Sequence, residues 1–296
     1  MFDFPAWSRA QAALVEQALV RWVPEDAPAG LGAAMRYAVL DGGKRLRPLL
    51  DLAACEAVAG DSHAALRAAC AVELIHAYSL VHDDMPCMDN DVLRRGKPTV
   101  HVRFGEAQAL LAGDALQALA FELLTPDDQS VSDAVQARLA RLLARAAGRA
   151  GMAGGQAIDL ASVGRALNEP ELRAMHRLKT GALLQASVEM GAACARGALS
   201  EATWSGLRAY GAAIGLAFQV VDDILDVTAD SATLGKTAGK DAAQDKPTYV
   251  SLLGLDASRA YAQDLLSQAH AALQLSGLPD VRALAALADA LVKRDN

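Results

Sequence analysis

Two aspartate clusters carry the chemistry that this sequence declares most openly. The first is Asp83-Asp84-Met85-Pro86-Cys87-Met88-Asp89, with Arg94-Arg95-Gly96 shortly after it; the second is Asp222-Asp223-Ile224-Leu225-Asp226. Each follows a long apolar run that belongs in a protein interior, where carboxylates are rarely left without a partner. Asp222 and Asp226 stand four residues apart and share a helix face, so without a cation they repel each other. In the first cluster Pro86 disfavours helical geometry at Met85. The helix therefore ends or distorts there, which allows Asp89 to turn back toward Asp83. Oxygen donors with no His or Cys interleaved suit a hard ion such as Mg²⁺, with Mn²⁺ as a substitute.

Cations complement these acids. Gly42-Gly43-Lys44-Arg45-Leu46-Arg47-Pro48 places three positive side chains where a helix begins, with Pro48 in its first turn. Helix N-termini attract phosphate through free N–H groups and the dipole. Arg94-Arg95, Lys179-Thr180, Lys236 and Lys246 add phosphate ligands, the arginines with bidentate capacity. His76 lies two helical turns before Asp83, and Gln219 lies one turn before Asp223, both on the faces that lead to the acids. Between Asp230 and Pro247 two glycines and three lysines interrupt helical periodicity, and a loop of that length in a compact domain is usually functional. We expect 230–247 to act as a lid over an anion.

Helices must position these groups. The 296 residues are 53% hydrophobic but only 4% aromatic, with Ala and Leu dominant and four Ile in the chain. That composition favours helix over strand, so an all-α fold is expected. Periodicity and breakers place helices at about 8–22, 30–40, 48–59, 63–84, 106–124, 132–149, 170–195, 201–226, 257–275 and 279–293. With no composition shift and no internal repeat, 1–296 reads as a single domain. A net charge of −7 argues against a nucleic-acid partner. The apolar stretches near 68–81 and 209–221 are interrupted by Glu73 and His76 or end at paired acids, so no membrane span is expected. The N-terminus carries no signal-peptide pattern. Cys55, Cys70, Cys87 and Cys194 show no metal spacing and suit a reducing, cytoplasmic setting.

Taken together, GGKRLRP at 42–48, HAYSLVHDDMPCMDNDVLRRGKPTVH at 76–101, GGQAIDL at 154–160, KTGAL at 179–183, GLAFQVVDDILD at 215–226, LGK at 234–236 and DKPTY at 245–249 resemble the bacterial-type trans-isoprenyl diphosphate synthases, the farnesyl diphosphate synthases most of all. The match runs through nearly the whole chain, with Val92 standing where the family often has another acid. The resemblance implies a bundle of mostly antiparallel helices around a deep central cavity, usually as a homodimer. It implies three Mg²⁺ ions: Asp83 and Asp89 ligating two, with Asp84 in support, and Asp222 holding the third with Asp226 and Asp241. Lys44, Arg47, His76 and Arg95 match the isopentenyl diphosphate site. Arg94, Lys179, Thr180, Gln219, Lys236 and Lys246 match the allylic diphosphate site. Lys179, Thr180, Gln219, Gln156 and Asp159 are the expected catalytic set around the reacting carbons.

The implied reaction is head-to-tail condensation by ionisation, attack and proton loss. Tyr78 and Ser79, five and four residues before Asp83, lie roughly 6–7.5 Å deeper along the helix. Tyr78 resembles the aromatic floor of short-chain members, which points to the fifteen-carbon farnesyl product rather than a ten- or twenty-carbon one. A class I terpene cyclase is disfavoured because the second cluster is all aspartate and GGKRLRP is present. A di-iron bundle is disfavoured because Glu73-x-x-His76 occurs once rather than on two helices. A non-catalytic partner subunit is disfavoured because both aspartate motifs are intact.

Overall fold

The computed structural model describes residues 2–40, 42–165, 167–228 and 248–293. The architecture is all-α. Helix α1 spans Phe4–Trp22, α2 Leu31–Val39, α3 Leu46–Ala57 and α4 Ser62–Asp83. A two-stranded hairpin, β1 Leu93–Arg94 and β2 Lys97–Pro98, precedes α5 Val100–Phe104, α6 Glu106–Leu124, α7 Asp133–Ala147 and α8 Met152–Ala161. Then come α9 Glu169–His176, a π-helical segment Arg177–Gly181, α10 Ala182–Ala193 and α11 Glu201–Thr228. Helices α12 Tyr249–Leu253, α13 Leu255–Leu275 and α14 Arg282–Val292 follow.

Local chemistry sets the helix ends. Asp61 caps α4 by accepting from the backbone N–H groups of His63 and Ala64, and Asn168 with Glu171 forms the reciprocal capping box at α9. Helix α4 is mostly apolar and mostly buried inside the bundle. Its alanines 64, 65, 68, 69 and 71 are buried, and their small size lets neighbouring helices approach closely. Leu74 and Ile75 are fully buried, each contributing roughly 1.5–3 kcal/mol over exposure.

Two hydrophobic clusters form the core. One gathers α1, α2, α4, α6 and α7; the other gathers α3, α9, α11, α13 and α14. Helix α10 serves both, turning Leu183, Ala186 and Met190 to the first and Leu184, Val188 and Ala192 to the second. Gly191 permits its close crossing with α3, since a Cβ there would stand 2.0 Å from the Asp51 carbonyl oxygen.

Five features depart from the sequence reading. The run expected as one helix over 170–195 is divided by the π segment at Arg177–Gly181. Helix α8 was concealed by Gly154 and Gly155, which weaken a helical pattern, and the hairpin at 93–98 was not foreseen. Helix α11 does not stop at its acids but continues to Thr228. Finally, α4 and α6 are both long and apolar enough to cross a membrane by length and composition. In α4 that character is met by burial within the bundle, whereas α6 leaves Leu110 and Leu111 about half exposed, at 47% and 53%.

Candidate active site

A cavity of about 580 Å³ opens between α3, α4, the hairpin, α8, the π segment and α11. Its wall holds Arg47, His76, Tyr78, Ser79 and Asp83, together with Arg94 and Arg95 of the hairpin. Across from them stand Gln156, Lys179, Thr180, Gln219 and Asp222. Both aspartate motifs therefore reach one cavity, although 139 residues separate Asp83 from Asp222 in the chain (222 − 83).

The first motif adopts the turn that Pro86 foretold. Helix α4 ends at Asp83, the N–H of Asp89 donates to the Asp83 carbonyl at 2.9 Å, and the N–H of Asp91 donates to the Asp84 carbonyl at 3.1 Å. Burial, with Asp89 adding to it and Lys179 opposing, pushes the Asp83 carboxyl up to about 6. Asp84 points elsewhere. Its carboxylate accepts a bidentate pair from Arg94, Nη2 to Oδ1 at 2.6 Å and Nε to Oδ2 at 2.8 Å. These two residues, expected on metal and on the allylic diphosphate, hold each other in this structure.

The hairpin turns on Arg95 and Gly96, both with positive φ (52° and 76°), the backbone signature of a tight two-residue turn. A non-glycine residue in that region is strained and often marks a functional site. Thr99, itself buried, anchors the hairpin by donating to the Asp91 carbonyl at 2.8 Å. Arg95 Nη1 donates to the Gly42 carbonyl at 2.8 Å, joining the hairpin to the GGKRLRP loop. The three cations of that loop divide: Arg47 reaches the cavity, whereas Arg45 turns inward, donating to Glu16 and Glu73, each at 2.6 Å. Glu73 thus has a structural partner. His76 lies among Arg47, Arg95 and Arg94; burial and then these cations hold it well below its ordinary pKa, so it is neutral at pH 7.

On the facing wall, close helix approach creates the geometry. A Cβ on Gly155 would sit 2.1 Å from the Lys179 backbone nitrogen, and one on Gly215 would sit 2.8 Å from the Gly181 Cα. Glycine at these positions lets α8 and α11 press on the π segment. Lys179 Nζ lies 2.5 Å from Asp159 Oδ2. Burial works against its charge, but Asp159, Asp83 and Asp89 outweigh that and hold its pKa above the usual value. Thr180 Oγ1 donates to Gln219 Oε1 at 3.1 Å, and Gln219 Nε2 donates to Asp223 Oδ1 at 2.8 Å. Asp223 Oδ2 accepts the Tyr249 N–H at 2.8 Å, so it anchors the chain where it returns at α12. Gln156 buries its amide at the cavity wall with no hydrogen-bond partner among the described residues.

Lys44, Asp89, Asp159 and Asp226 do not line the cavity directly, and Asp226 is buried on α11. Lys236, Lys246, Asp241 and the expected lid at 230–247 lie outside the described residues. Sequence reasoning missed Gly155, Gly215, Thr99 and His176. The last is a buried imidazole whose ring lies 5.7 Å from the Tyr249 ring, tilted by 32°, and burial lowers its pKa to about 4. Only the GGQ and KTG glycines offered a signal, as close-approach positions.

The donor set fits Mg²⁺ used jointly with a phosphate. Asp83 and Asp222 present oxygen to one cavity, yet among the described residues no group of three or more acids, His or Cys converges to hold an ion unaided. Mg²⁺ commonly takes one or two carboxylates and completes its shell with water and substrate phosphate.

The polyprenyl synthetase family pattern matches residues 28–276. The chain is 52% identical over 275 residues to a probable farnesyl diphosphate synthase of Bradyrhizobium diazoefficiens, covering 90% of this chain and 81% of that one. Among solved structures it is similar to an FPP/GFPP synthase from Zymomonas mobilis, with TM-score 0.85 and 43% identity over 98% of both chains. It is also similar to a geranyltransferase from Helicobacter pylori complexed with magnesium and isoprenyl diphosphate, with TM-score 0.84 and 35% identity, covering 99% of this chain and 97% of that one.

Proposed function

The chain belongs to the polyprenyl synthetase family and is a trans-prenyltransferase, and from that premise we propose that it condenses isopentenyl diphosphate with dimethylallyl and then geranyl diphosphate to make farnesyl diphosphate. The carrying observation is a single cavity lined by one aspartate of each motif, Asp83 and Asp222, by Arg47, Arg94, Arg95 and Lys179, and by Tyr78.

The allylic diphosphate binds with its charged group toward Asp83 and Asp222 and its tail along α4. Three Mg²⁺, replaceable by Mn²⁺, held by Asp83, Asp89, Asp222 and Asp226 with Asp84 in support, would offset the charge that gathers on the departing diphosphate. Lys179 adds a fixed cation at that end, oriented by Asp159, and Lys236 and Lys246 complete the phosphate contacts. Arg47, Arg95, His76 and Lys44 receive isopentenyl diphosphate on the opposite side. When the allylic C–O bond breaks, its electron pair leaves with the diphosphate. The allylic cation then faces the Thr180 hydroxyl and the Gln219 carbonyl. Because Thr180 donates its hydrogen to Gln219, its lone pairs are available to the cation, and preorganised oxygens of this kind need no rearrangement in the transition state. The double bond of isopentenyl diphosphate attacks, and the proton leaves to the departed diphosphate, since His76 with its lowered pKa is a weak base. Gln156 supports the reacting carbons, and 230–247 closes over them to exclude water.

Tyr78 supports the fifteen-carbon assignment. It is 8% exposed, lines the cavity and meets the His82 ring edge-on at 5.6 Å. That packing gives a rigid floor, with Ser79 beside it. We also assign 1–296 as one catalytic domain in the cytoplasm, acting as a homodimer that covers the exposed Leu110 and Leu111 of α6. Chromatography of products from dimethylallyl and isopentenyl diphosphates tests the assignment. A fifteen-carbon diphosphate is expected, and a cyclised hydrocarbon formed without isopentenyl diphosphate would overturn it.

A further inference from the structure

A second groove, of about 750 Å³, lies between α7, α10 and the first half of α11. Arg138, Arg141 and Arg145 project into it from α7, and Arg208 faces them from α11. None of the three α7 arginines forms a hydrogen bond or ion pair among the described residues. The carboxylate in the groove, Glu189, is already engaged: it accepts from Gln185 at 2.7 Å and lies 3.8 Å from Arg208. Three exposed guanidiniums thus line one groove uncompensated on a protein whose net charge is −7. Leu142, Ala186 and Trp204 give the groove an apolar side, with Arg208 over the Trp204 ring at 5.5 Å.

We propose that this groove is a second anion site, distinct from the catalytic cavity, that takes a diphosphate group. Arg138, Arg141 and Arg145 follow one face of α7 at i, i+3 and i+7, spreading their charges over about 10 Å. That span suits an elongated anion with many oxygens better than a compact monoanion, and planar guanidiniums bind phosphate oxygens bidentately. The site adjoins the catalytic one through a single helix. Leu183 of α10 lines the cavity, while Ala182 and Gln185, on other faces of the same turn, line the groove.

Calorimetric titration of the intact protein with inorganic diphosphate, in Mg²⁺-free buffer at constant ionic strength, tests this. We expect saturable binding that R141E/R145E weakens roughly tenfold or more, and that R47A/K179A, which strips cations from the catalytic cavity, retains. The R141E/R145E variant should keep its initial rate of turnover. Farnesyl diphosphate in the same titration distinguishes two sources of the ligand: tighter binding assigns an amphiphile that uses the Trp204 side, and equal binding assigns the free anion. The proposal is overturned by an equal response to sulfate, by binding that survives R141E/R145E but vanishes in R47A/K179A, or by binding only to phosphatidylglycerol vesicles. Dissociation of a dimer in R141E/R145E on size exclusion would also overturn it, assigning the groove to a subunit interface.

Discussion

Lys179 Nζ and Asp159 Oδ2 stand 2.5 Å apart where α8 meets the π segment, a pair that no spacing within either motif announces. The carboxylate holds the ammonium in the cavity and keeps it charged despite burial. Lys179→Ala should lower kcat/KM for the allylic substrate by about two to three orders of magnitude, the scale for loss of one charge-stabilising group. Asp159→Asn should lower it by roughly tenfold, since the cation survives but is less firmly placed. Steady-state kinetics with each substrate varied in turn checks this; a change confined to the isopentenyl KM would contradict the assignment.

Asp83→Ala and Asp222→Ala should each reduce kcat by about a thousandfold or more at saturating Mg²⁺. Far-UV circular dichroism should be unchanged, because both side chains line the cavity rather than the core. Near-normal turnover in either variant would sink the proposal that the two motifs share the metals.

Tyr78→Ala removes the proposed floor without touching the aspartates. Product analysis should show a shift from fifteen carbons toward twenty or more. An unchanged product from a folded, active variant would assign chain length to another wall.

Arg45 illustrates a cation whose work is structural. Its guanidinium is buried between Glu16 and Glu73. Arg45→Met strands a buried carboxylate and should cost about 3–5 kcal/mol in denaturant unfolding. Adding Glu73→Gln should recover part of that loss, which a double-mutant cycle measures.

Asp51 predicts a pH dependence. It is fully buried on α3, and neither carboxylate oxygen has a partner among the described residues, so burial raises its pKa well above the ordinary 3.8. With the folded pKa above the unfolded one, the carboxyl weakens the fold progressively as pH rises from about 4 toward the raised value, by up to about 1.4 kcal/mol per pH unit. Asp51→Asn removes this titration. Relative to the parent, the melting temperature of the D51N variant should improve as pH is raised from 4 to 7, and a constant difference over that range would refute the argument.

Much of the molecule is written locally. An Ala- and Leu-rich chain with caps such as Asn168 and Glu171 settles into helices whose positions the periodicity reveals, because capping and amphipathicity act within a turn or two. The paired aspartates, Pro86 and GGKRLRP announce metal and phosphate chemistry because carboxylates and cations of that density have few other uses beside buried runs. What tertiary structure alone decided is which of these groups face the cavity. Arg45 and Arg47 stand two residues apart, yet one turns inward to Glu16 and Glu73 and the other outward to the cavity, a choice made by partners 29 and 28 residues from Arg45 in the chain. Asp84 is drawn to Arg94 by the fold of the hairpin. The break in the helix at Arg177–Gly181, and with it the placement of Lys179 and Thr180, depends on Gly155 and Gly215 letting two distant helices close in. Helix propensity registers such glycines only as weaknesses, since the contact that requires them exists only once the chain has folded.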